Sequence, residues 1–498
     1  MNEIRPITAD MRGIFDAQRA AFLQRGAPPL QERRADLKKL ADAIGRIGDR
    51  LEAAISADFG NRSRHETKLG EVFPAQSAIR HTLRHLAGWM RPRRVAVGLE
   101  LMPASARILY QPVGVVGIIS PWNYPFNLAI VPLVAALAAG NRVMLKPSEL
   151  TPRTSELLAE LLASLFPTEQ VATILGGPDA GQAFARLPFD HLFYTGSTAV
   201  GRMVMQAAAD NLTPVTLELG GKSPCIIADD AALPGAVESI MHGKLLNAGQ
   251  TCIAPDYVLL PAQRLDEFVA LATATAKKFY PTLAQNPDYT SIVNERHYGR
   301  VAQYVAEAKA RGVRAIEVNA TNDALAASAR KLAPTLLIEP DDDLAVMRDE
   351  IFGPVLPLKT YRSLDEAIRY VNGRPRPLAL YYFGTDTGKR DDVLRRTISG
   401  GATVNGTLFH FAAENLPFGG IGPSGIGAYH GEFGFQTFSH RKGVFLQSRL
   451  SGTRFLYPPF GRLTDLMLKV LNRGGALATR IEKRAVETYQ ERAQNDDI

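Results

Sequence analysis

Cysteine is scarce in this chain, and long apolar runs and clusters of one charge sign are lacking. The 498 residues include two cysteines, Cys225 and Cys252, so a disulfide framework is excluded and one bridge at most could form. There is no uninterrupted apolar run of about 18 residues, which argues against a membrane-spanning helix. The amino-terminal residues lack a basic segment followed by an apolar one, so no secretory signal is visible. We therefore expect a cytoplasmic protein.

The charged residues are mixed in sign and spread along the chain. The net charge is +7 over 498 residues, and no dense Lys/Arg stripe with interleaved aromatic residues occurs, so we expect no nucleic-acid partner. Acidic and basic residues alternate in residues 31–39, a pattern typical of a solvated helix face. Hydrophobic residues make up 46% and charged residues 21%, the composition of a soluble globular protein. A chain of this length is expected to form two or three domains.

The hydrophobic periodicity changes along the chain. Residues 8–64 and 71–90 have apolar residues at helical spacing, and a β-rich passage follows up to Tyr110. Beyond Pro112 short apolar runs alternate with helical patterns. We predict strands at 113–120, 141–147, 171–175 and 191–195, and helices at 124–139, 152–166 and 178–186. This alternation predicts βαβ units, a parallel sheet and ligand binding at the carboxyl ends of its strands. A second α/β block is predicted from about residue 214 to residue 405.

The segment Asn247–Cys252 carries the sharpest local signal for chemistry. A cysteine acts as a nucleophile only as its thiolate, and its ordinary pKa of about 8.5 requires help from the surroundings. We predict that Cys252 follows a helix ending at Gly249. Taken alone, a small buried cysteine is the commoner explanation, and Cys225, in an apolar stretch, fits it well. Residues in other segments distinguish Cys252 from Cys225.

Two polar residues elsewhere have the chemistry that such a nucleophile needs. Glu218 lies between apolar residues and before a glycine pair, and a carboxylate in an apolar setting has a raised pKa, which suits a general base. An edge-strand glutamate that faces water is the alternative. Asn123 follows the first predicted strand of the parallel sheet, where its amide could donate to a developing oxyanion. A helix-capping role for Asn123 is equally compatible with the sequence.

Two glycine-rich segments are candidates for a phosphate site. Gly196–Gly201 follows the strand predicted at 191–195 and opens a helix, whose amino-terminal amides and dipole favour a pyrophosphate. It lacks the Gly-Lys-Ser/Thr ending of a nucleoside-triphosphate loop, so an ATPase is disfavoured. Gly420–Gly425 matches the GxGxxG pattern but does not lie between a strand and a helix, so we reject it as a dinucleotide site. We expect it to shape a loop near the catalytic site.

Taken together, these segments resemble the aldehyde dehydrogenase superfamily. Asn123 in Pro-Trp-Asn-Tyr-Pro, Glu218 in Leu-Glu-Leu-Gly-Gly-Lys-Ser-Pro and Cys252 in Gly-Gln-Thr-Cys match its three signature segments, in the family's order. Four further segments agree, at residues 144–149, 193–201, 350–354 and 416–420. The resemblance covers about residues 15–445. Residues 425–431 and 438–440 are most similar to the class-3 enzymes, and other segments to the bacterial coniferyl aldehyde dehydrogenases among them.

The resemblance implies an α/β fold, the aldehyde dehydrogenase fold, with two large domains and a small β element that bridges subunits. The implied parts are a Rossmann-like, parallel-sheet NAD(P)-binding domain at residues 1–90 and 112–217, a catalytic α/β domain at 218–405, a bridging element at 91–111 and 416–445, and a tail at 446–498. The bridging element implies a homodimer, because an exposed sheet edge is a liability unless it is paired. The apolar part of the tail, residues 463–471, is too short to span a bilayer. We favour docking of the tail on the partner subunit or over the substrate entrance, and peripheral membrane contact is the alternative.

The resemblance also implies a mechanism. Cys252 attacks the aldehyde carbonyl, and the Asn123 amide and the Cys252 backbone N–H hold the oxyanion. Hydride leaves for the nicotinamide, a thioester remains on Cys252, and Glu218 deprotonates the water that hydrolyses it to the carboxylic acid. The alternative function is a thiol hydrolase or acyltransferase without hydride transfer, for which the cofactor segments would be useless. A catalytically silent protein on this fold would be expected to lack one of these three residues.

The cofactor residues are likewise implied by the resemblance. They are Lys146 and Glu149 for the adenosine ribose, Trp122 with Gly196, Ser197 and Gly201 for the pyrophosphate, and Glu350 and Phe352 for the nicotinamide ribose and ring. A carboxylate at Glu149 suits a free 2′-hydroxyl and repels a 2′-phosphate, so we expect NAD in preference to NADP. No metal is expected. The resemblance implies an aromatic aldehyde, such as coniferyl aldehyde, or an apolar aliphatic one, and Trp122, Tyr124, Phe409 and Phe411 suggest an apolar or aromatic lining.

Overall fold

The computed structural model describes residues 7–98, 101–450, 453–454 and 457–472. In these ranges the helices are α1 (Ile7–Arg25), α2 (Leu30–Arg46), α3 (Gly48–Phe59), α4 (Arg64–Thr67), α5 (Phe73–Trp89), α6 (Asn127–Ala139), α7 (Pro152–Leu165), α8 (Pro178–Ala185), α9 (Thr198–Ala209), α10 (Leu233–Leu245), α11 (Leu265–Phe279), α12 (Glu295–Ala310), α13 (Ala345–Arg348), α14 (Leu364–Asn372), α15 (Thr387–Arg396), α16 (Phe409–Ala412) and α17 (Gly431–Thr437). A π-helical turn, Lys68–Val72, joins α4 to α5, and residues 462–472 are also helical.

The strands of the same ranges form three sheets. They are β1 (Arg93–Val95), β2 (Ser105–Pro112), β3 (Val115–Ile119), β4 (Arg142–Lys146), β5 (Val171–Thr173), β6 (His191–Thr195), β7 (Val215–Glu218), β8 (Pro224–Ile227), β9 (Tyr257–Pro261), β10 (Arg314–Glu317), β11 (Thr335–Ile338), β12 (Val355–Tyr361), β13 (Ala379–Phe383), β14 (Gly401–Val404), β15 (Gly425–Ile426) and β16 (Ser439–Leu446).

A six-stranded sheet has the strand order β15-β7-β6-β3-β4-β5. Neighbouring strands from β7 to β5 are parallel, and β15 joins the edge antiparallel. β3, β4 and β6 are almost entirely buried, which explains why their sequences read as continuous apolar runs and do not alternate. α6, in which every residue is buried, packs on β3 and β4 and contacts α5 and α17.

A seven-stranded sheet, of order β10-β11-β12-β9-β8-β13-β14, forms the second α/β layer. Its strands are parallel except at the edge, where β10 pairs antiparallel with β11. β8, β9 and β13 are completely buried, and the large side chains of Tyr257 and Tyr382 fill the core on one face. The nucleophile predicted from the sequence, Cys252, lies in the loop that leads into β9. The central strands thus provide a rigid support next to the predicted chemistry.

A small three-stranded sheet has the order β1-β2-β16, with β1 antiparallel to β2. Its strands lie largely in a separate compact unit made of Arg91–Tyr110 and the described residues from Arg441 onward, whereas both large sheets lie in the other unit. In the described ranges no helix has the length and apolar character needed to cross a membrane. The domain boundaries given above stay predictions.

The predicted α/β fold class with parallel sheets is confirmed, and β6 has the predicted bounds. The prediction of a solvated helix face at residues 31–39 is wrong in part. Arg33 is 4% exposed and Asp36 is 9% exposed. Arg33 is buried because its guanidinium donates to the carbonyl oxygens of Pro28 (2.8 Å) and Ala138 (2.9 Å), which satisfies its donors inside the fold.

Candidate active site

The carboxyl ends of neighbouring strands bring the predicted residues to one edge of the six-stranded sheet. Thr195, at the end of β6, pairs with Glu218, at the end of β7. Ile119, at the end of β3, pairs with Tyr194 on one side and with Lys146 on the other. Since adjacent strands are about 4.8 Å apart, Lys146 and Glu218 are separated by three spacings, or about 14 Å. The segments that follow these strand ends therefore lie along one edge of the sheet.

Glu218 is a buried carboxylate without a protein partner. It is 2% exposed, and neither of its carboxylate oxygens has a hydrogen-bond partner among the described residues. Burial raises the pKa of Glu218 well above its ordinary value. The burial excludes the alternative of an edge-strand glutamate facing water, and the raised pKa is the property expected of a general base.

The glycine-rich loop that we rejected as a dinucleotide site contributes the strand next to Glu218. Gly425 of β15 pairs with Glu218 of β7. Its φ is +153°, and a Cβ at this position would lie 2.4 Å from the carbonyl oxygen of Leu217, so only glycine allows this approach. The loop therefore closes the outer side of the strand that carries Glu218, a role that its GxGxxG pattern did not indicate.

The loop before Cys252 has an uncommon backbone. α10 ends before Asn247, and not at Gly249 as predicted, because Asn247 and Ala248 have left-handed φ angles of 54° and 51°. Gly249 also has a positive φ, and a Cβ on it would lie 2.3 Å from the carbonyl oxygen of Gly353. Left-handed conformations outside glycine cost about 1–3 kcal/mol each and concentrate at functional sites.

Gln250 fixes this loop from within. It is fully buried, and its side-chain amide donates to the carbonyl oxygens of Asn247 (3.0 Å) and Ser291 (3.1 Å). Its side-chain oxygen accepts from the N–H of Val293 at 3.0 Å. The main-chain carbonyl of Gln250 accepts from Nδ2 of Asn123 at 3.2 Å. The nucleophile loop and the predicted oxyanion donor are therefore directly connected.

Asn123 presents its side chain to this loop and does not cap α6. The N-cap of α6 is Phe126, without a side-chain cap, so the helix-capping alternative is excluded. One hydrogen of the Asn123 amide is used by Gln250, and a primary amide has a second one to offer to a ligand. The main-chain carbonyl of Asn123 accepts from Nη1 of Arg62 (3.0 Å) and from Nδ2 of Asn247 (3.0 Å).

Burial and two acidic side chains determine the pKa of the Cys252 thiol. Burial raises the pKa of Cys252 to about 12, and the charges of Glu350 and Glu218 add to the rise. Burial together with the charge of Asp256 raises the pKa of Glu350 to about 8. Close approaches of the main chain agree with this: a Cβ on Gly220 would lie 2.0 Å from Oε2 of Glu350, and one on Gly249 would lie 2.3 Å from the carbonyl oxygen of Gly353, so the segments of Glu218, Cys252 and Glu350 adjoin one another. The thiol is therefore protonated at neutral pH in the free chain.

The raised pKa of Cys252 predicts slow alkylation of the ligand-free protein. The rate with iodoacetamide should be low at pH 7 and rise by about tenfold per pH unit with the thiolate fraction. Glu350→Gln removes a charge that opposes the thiolate. Its alkylation rates should match those of the wild type below about pH 8, where Glu350 is protonated, and exceed them above it.

Alkylation of Cys225 should not interfere, because this thiol is fully buried. Cys225→Ala is the control and should give the wild-type pH profile. An alkylation rate that does not change with pH near pH 7 would show that the Cys252 thiol is already ionised at that pH, and would contradict this expectation.

The residues predicted for the adenosine side form a pair at the end of β4. Nζ of Lys146 donates to Oε2 of Glu149 at 2.8 Å. Burial would raise the pKa of Glu149, but the hydrogen bond and charge of Lys146 outweigh it, and the net shift is downward. Glu149 is thus an ionised, partly exposed acceptor.

The predicted phosphate segment lies between β6 and α9, as expected. Ser197 is the N-cap of α9, and its hydroxyl accepts from the N–H of Val200 at 3.4 Å. Gly196 precedes it, and Gly201 lies in the first turns of the helix. The amino terminus of α9 therefore points to the same sheet edge as Glu218, whose carbonyl accepts from the N–H of Gly196 at 3.0 Å.

Trp122 and Phe352, predicted for different parts of the cofactor, contact each other. Their rings meet edge to face at 5.4 Å between centroids. Trp122 also lies 5.0 Å from the ring of His297, a residue that the sequence did not single out. Phe352 has a left-handed φ of 50°, which turns the chain between Glu350 and Gly353. The two predicted cofactor residues are thus one aromatic cluster next to Asn123.

Lys222 and Asp256 support the segment of Glu350 through contacts that the sequence reasoning missed. Their side chains form an ion pair. Lys222 also donates to the carbonyl oxygen of Asp349 (2.9 Å), and Asp256 accepts from the N–H of Ile351 (3.0 Å). The pair thereby holds the segment of Glu350 against the chain that enters β9. Lys222 belongs to a matched segment, but no sequence pattern shows that it meets Asp256.

Known proteins are similar to this chain in sequence and in fold. The Aldehyde dehydrogenase family matches residues 7–444. A probable coniferyl aldehyde dehydrogenase of Pseudomonas aeruginosa is 51% identical over 452 residues, which cover 91% of this chain and 94% of that protein. The substrate-bound Staphylococcus aureus AldH has a TM-score of 0.87 and 37% identity, covering 93% of this chain and 99% of its own. The Mycobacterium tuberculosis aldehyde dehydrogenase complexed with NAD+ has a TM-score of 0.79 and 29% identity, covering 89% and 91%.

These matches extend over the two large sheets and all seven segments on which the resemblance was based. The resemblance is thereby confirmed. With a family match over residues 7–444 and a relative that is 51% identical over 452 residues, this chain belongs to the aldehyde dehydrogenase family.

Proposed function

We propose that this protein oxidises an aldehyde to the carboxylic acid with NAD(P), through a thioester on Cys252, with Asn123 and Glu218 in the roles given above. The observation that carries the proposal is that the segment of Cys252 adjoins two carboxylates, the buried Glu218 and the partly buried Glu350. A thiol hydrolase would need one general base. The second carboxylate lies on the segment of Phe352 and has an unpartnered oxygen, which favours a bound cofactor.

The protein's own groups support the addition step. The Cys252 thiol first loses its proton to solvent water; the sulfur of the resulting thiolate then attacks the carbonyl carbon, and negative charge develops on the carbonyl oxygen. The free hydrogen of the Asn123 amide and the N–H of Cys252 are the proposed donors to that oxygen. Losing one such donor typically costs about 2.7–4 kcal/mol of barrier. The bond from Asn123 to Gln250 fixes the amide in advance, so it need not reorganise during the reaction.

The residues present fit a nicotinamide dinucleotide. The amino terminus of α9 suits the pyrophosphate, and ionised Glu149 suits the hydroxyls of the adenosine ribose. Oε1 of Glu350, buried without a partner among the described residues, is an acceptor for a hydroxyl of the second ribose. When bound, NAD supplies the acceptor for the hydride of the aldehyde. Because Glu149 repels a 2′-phosphate, we propose NAD as the preferred cofactor and NADP as the weaker one.

Glu218 is proposed to act after the oxidation. Its burial favours the neutral form of the free carboxyl, so its ionised form is a strong base within the site. It would take a proton from the water that attacks the thioester, which releases the acid and restores the Cys252 thiolate. The two unpartnered carboxylate oxygens leave room in its hydrogen bonding for that water.

The proposed substrate is an aromatic aldehyde such as coniferyl aldehyde, and an apolar aliphatic aldehyde is the second choice. The buried Tyr429 follows four residues after Gly425, which pairs with Glu218, so this ring belongs to the segment next to Glu218. Tyr429 contacts Phe418 and His430, at 5.9 Å and 4.5 Å between centroids. The name of the P. aeruginosa relative supports the same class. Of the two phenylalanines expected to line the site, Phe411 packs on this cluster, whereas Phe409 is 67% exposed.

Initial rates with NAD and NADP against aromatic, long-chain and short aliphatic aldehydes test the proposal. Aromatic or long apolar aldehydes should exceed short ones in kcat/KM by about tenfold or more, because one methylene in an apolar pocket contributes about 1–3 kcal/mol. NAD should give the higher kcat/KM. Hydrolysis of an activated ester without oxidation of any aldehyde would instead favour the thiol hydrolase.

The homodimer, the cytoplasmic location and the role of the tail stay predictions. Residues 473–498 of the tail lie outside the described residues. In the described helical stretch at 462–472, apolar side chains such as Leu466 and Val470 are exposed, at 58% and 62%. An exposed apolar face of this kind is compatible both with docking, which we propose, and with peripheral membrane contact.

A further inference from the structure

We propose that Arg62 and Glu71, which form a buried ion pair, are positioning residues that hold the loop of Asn123 in register with the nucleophile loop. The inference rests on the proposed function, because it takes Asn123 as the oxyanion donor. Neither residue is expected to touch substrate or cofactor. Both lie in the amino-terminal helical region, which no sequence signal connected with chemistry.

The pair is buried completely and bound to the Asn123 loop on both sides. Nη1 of Arg62 lies 2.9 Å from Oε1 of Glu71, and both side chains have no exposed surface. The same Nη1 donates to the carbonyl oxygen of Asn123 at 3.0 Å. Oε2 of Glu71 accepts from the N–H groups of Phe126 (3.2 Å) and Asn127 (2.7 Å), where α6 begins. The pair thus holds the turn from Asn123 to Asn127 at its two ends.

The backbone around Glu71 is shaped for this contact. Glu71 lies in the π-helical turn Lys68–Val72, and π-bulges in helices occur frequently at functional sites. Insertion of one such turn changes the direction in which a side chain leaves the helix. The nearby ring of Tyr124 lies 4.8 Å below the Arg62 guanidinium carbon, which fixes the next residue of the same loop.

The Arg62–Glu71 pair is not expected to contribute much to the free energy of unfolding. Replacement of buried ion pairs by apolar residues is often neutral or stabilising by about 1–4 kcal/mol, because desolvation is costly. Burial raises the pKa of Glu71 to about 7, and Arg62 and the main-chain donors offset the cost only in part. Nε and Nη2 of Arg62 have no hydrogen-bond partner among the described residues. What the pair provides is a fixed position for the carbonyl of Asn123.

The same helical region also reaches the nucleophile loop. Oε2 of Glu66 accepts from the N–H of Asn247 at 3.1 Å, and Nδ2 of Asn247 donates to the carbonyl of Asn123 at 3.0 Å. The hydroxyl of Tyr124 lies 2.8 Å from Oγ1 of Thr251, the neighbour of Cys252. The loops of the oxyanion donor and of the nucleophile therefore both form hydrogen bonds with side chains of residues 62–71.

A double-mutant cycle with Asn123→Ala tests the proposal. The test variant is Arg62→Met combined with Glu71→Gln, which leaves no unpaired buried charge. It should lower kcat/KM for aldehyde oxidation by about 10- to 100-fold, because a misplaced oxyanion donor loses part of its contribution to the rate. In the Asn123→Ala background the same pair of changes should cost less than about twofold, because the donor that it positions is gone. The Kd for NAD should be unchanged in both backgrounds.

Arg33→Met is the matched control, since Arg33 is also buried and bonded to main-chain carbonyls. It should lower the thermal unfolding midpoint, and any effect on kcat/KM should be equal in both backgrounds. If the test variant does not fold, Arg62→Lys, which retains the charge but not the fork of donors, should show the same coupling with a smaller loss. Equal losses with and without Asn123 would overturn the positioning role and leave the proposed function standing. An Asn123→Ala enzyme with wild-type kcat/KM would remove the oxyanion role, and this inference with it.

Discussion

Replacement of Cys252 by alanine is expected to abolish aldehyde oxidation while NAD binding stays near normal. Loss of a nucleophile lowers turnover by at least about 10⁴-fold, since covalent catalysis has no substitute in the site. The groups proposed for the adenosine half, Lys146 and Glu149, lie at and beyond the end of β4, three strands away from β7, which carries Glu218. NADH formation measures the first effect, and fluorescence titration with NADH measures the second.

Cys225→Ala is the matched control for this experiment. Cys225 is fully buried in β8 and pairs in register with Val258 and Tyr381, so its loss removes a thiol without touching the proposed site. It should retain near-wild-type kcat, with at most a small loss of stability. If the Cys252→Ala enzyme retained a tenth of wild-type turnover, the assignment of the nucleophile would be wrong.

Much of the fold was predictable because the strands of a parallel sheet are buried on both faces. Their apolar runs, separated by helical patterns, gave β3, β4 and β6 within a few residues. Local patterning does not report burial of charge, however. The sequence around Arg62 and Glu71 predicts ordinary charged residues of a helix. Only the tertiary fold brings the two side chains together at the beginning of α6. A buried ion pair nine positions apart in a helical region has no signature in one sequence.

The site was predictable as a set of segments, but its geometry was not. The segments of Glu218 and Cys252 were recognised, whereas the left-handed turn at Asn247 and Ala248 was not, because neither residue type requires a positive φ. The pairing of Gly425 with Glu218 is a contact between residues far apart in the chain. Such contacts depend on the order of the strands in the sheet. The alternation of strands and helices predicts a parallel sheet but not this order.

The pKa of Glu218 bears on the order of the catalytic steps. A raised pKa means that Glu218 is neutral at low pH and becomes a base only as the pH rises through it. If it acts on water alone, turnover should rise with pH over this range, whereas the first round of NADH formation should not follow its titration. If it instead activates the Cys252 thiol, both steps should depend on it.

Glu218→Gln separates these two orders. Gln keeps the size of the side chain but cannot accept the proton of water. We therefore expect one burst of NADH per active site. Steady-state turnover should then be slower than in the wild type by about 10²–10⁴-fold, the usual contribution of a general base. The burst belongs to acylation of Cys252, which in our proposal does not need Glu218. Rapid-mixing absorbance measures the burst amplitude, and mass spectrometry should find the acyl group on Cys252. Loss of the burst together with turnover would show that Glu218 deprotonates the thiol, whose own pKa of about 12 makes such help plausible on energetic grounds. The thioester that accumulates in the variant, or fails to, therefore decides which proton Glu218 moves first.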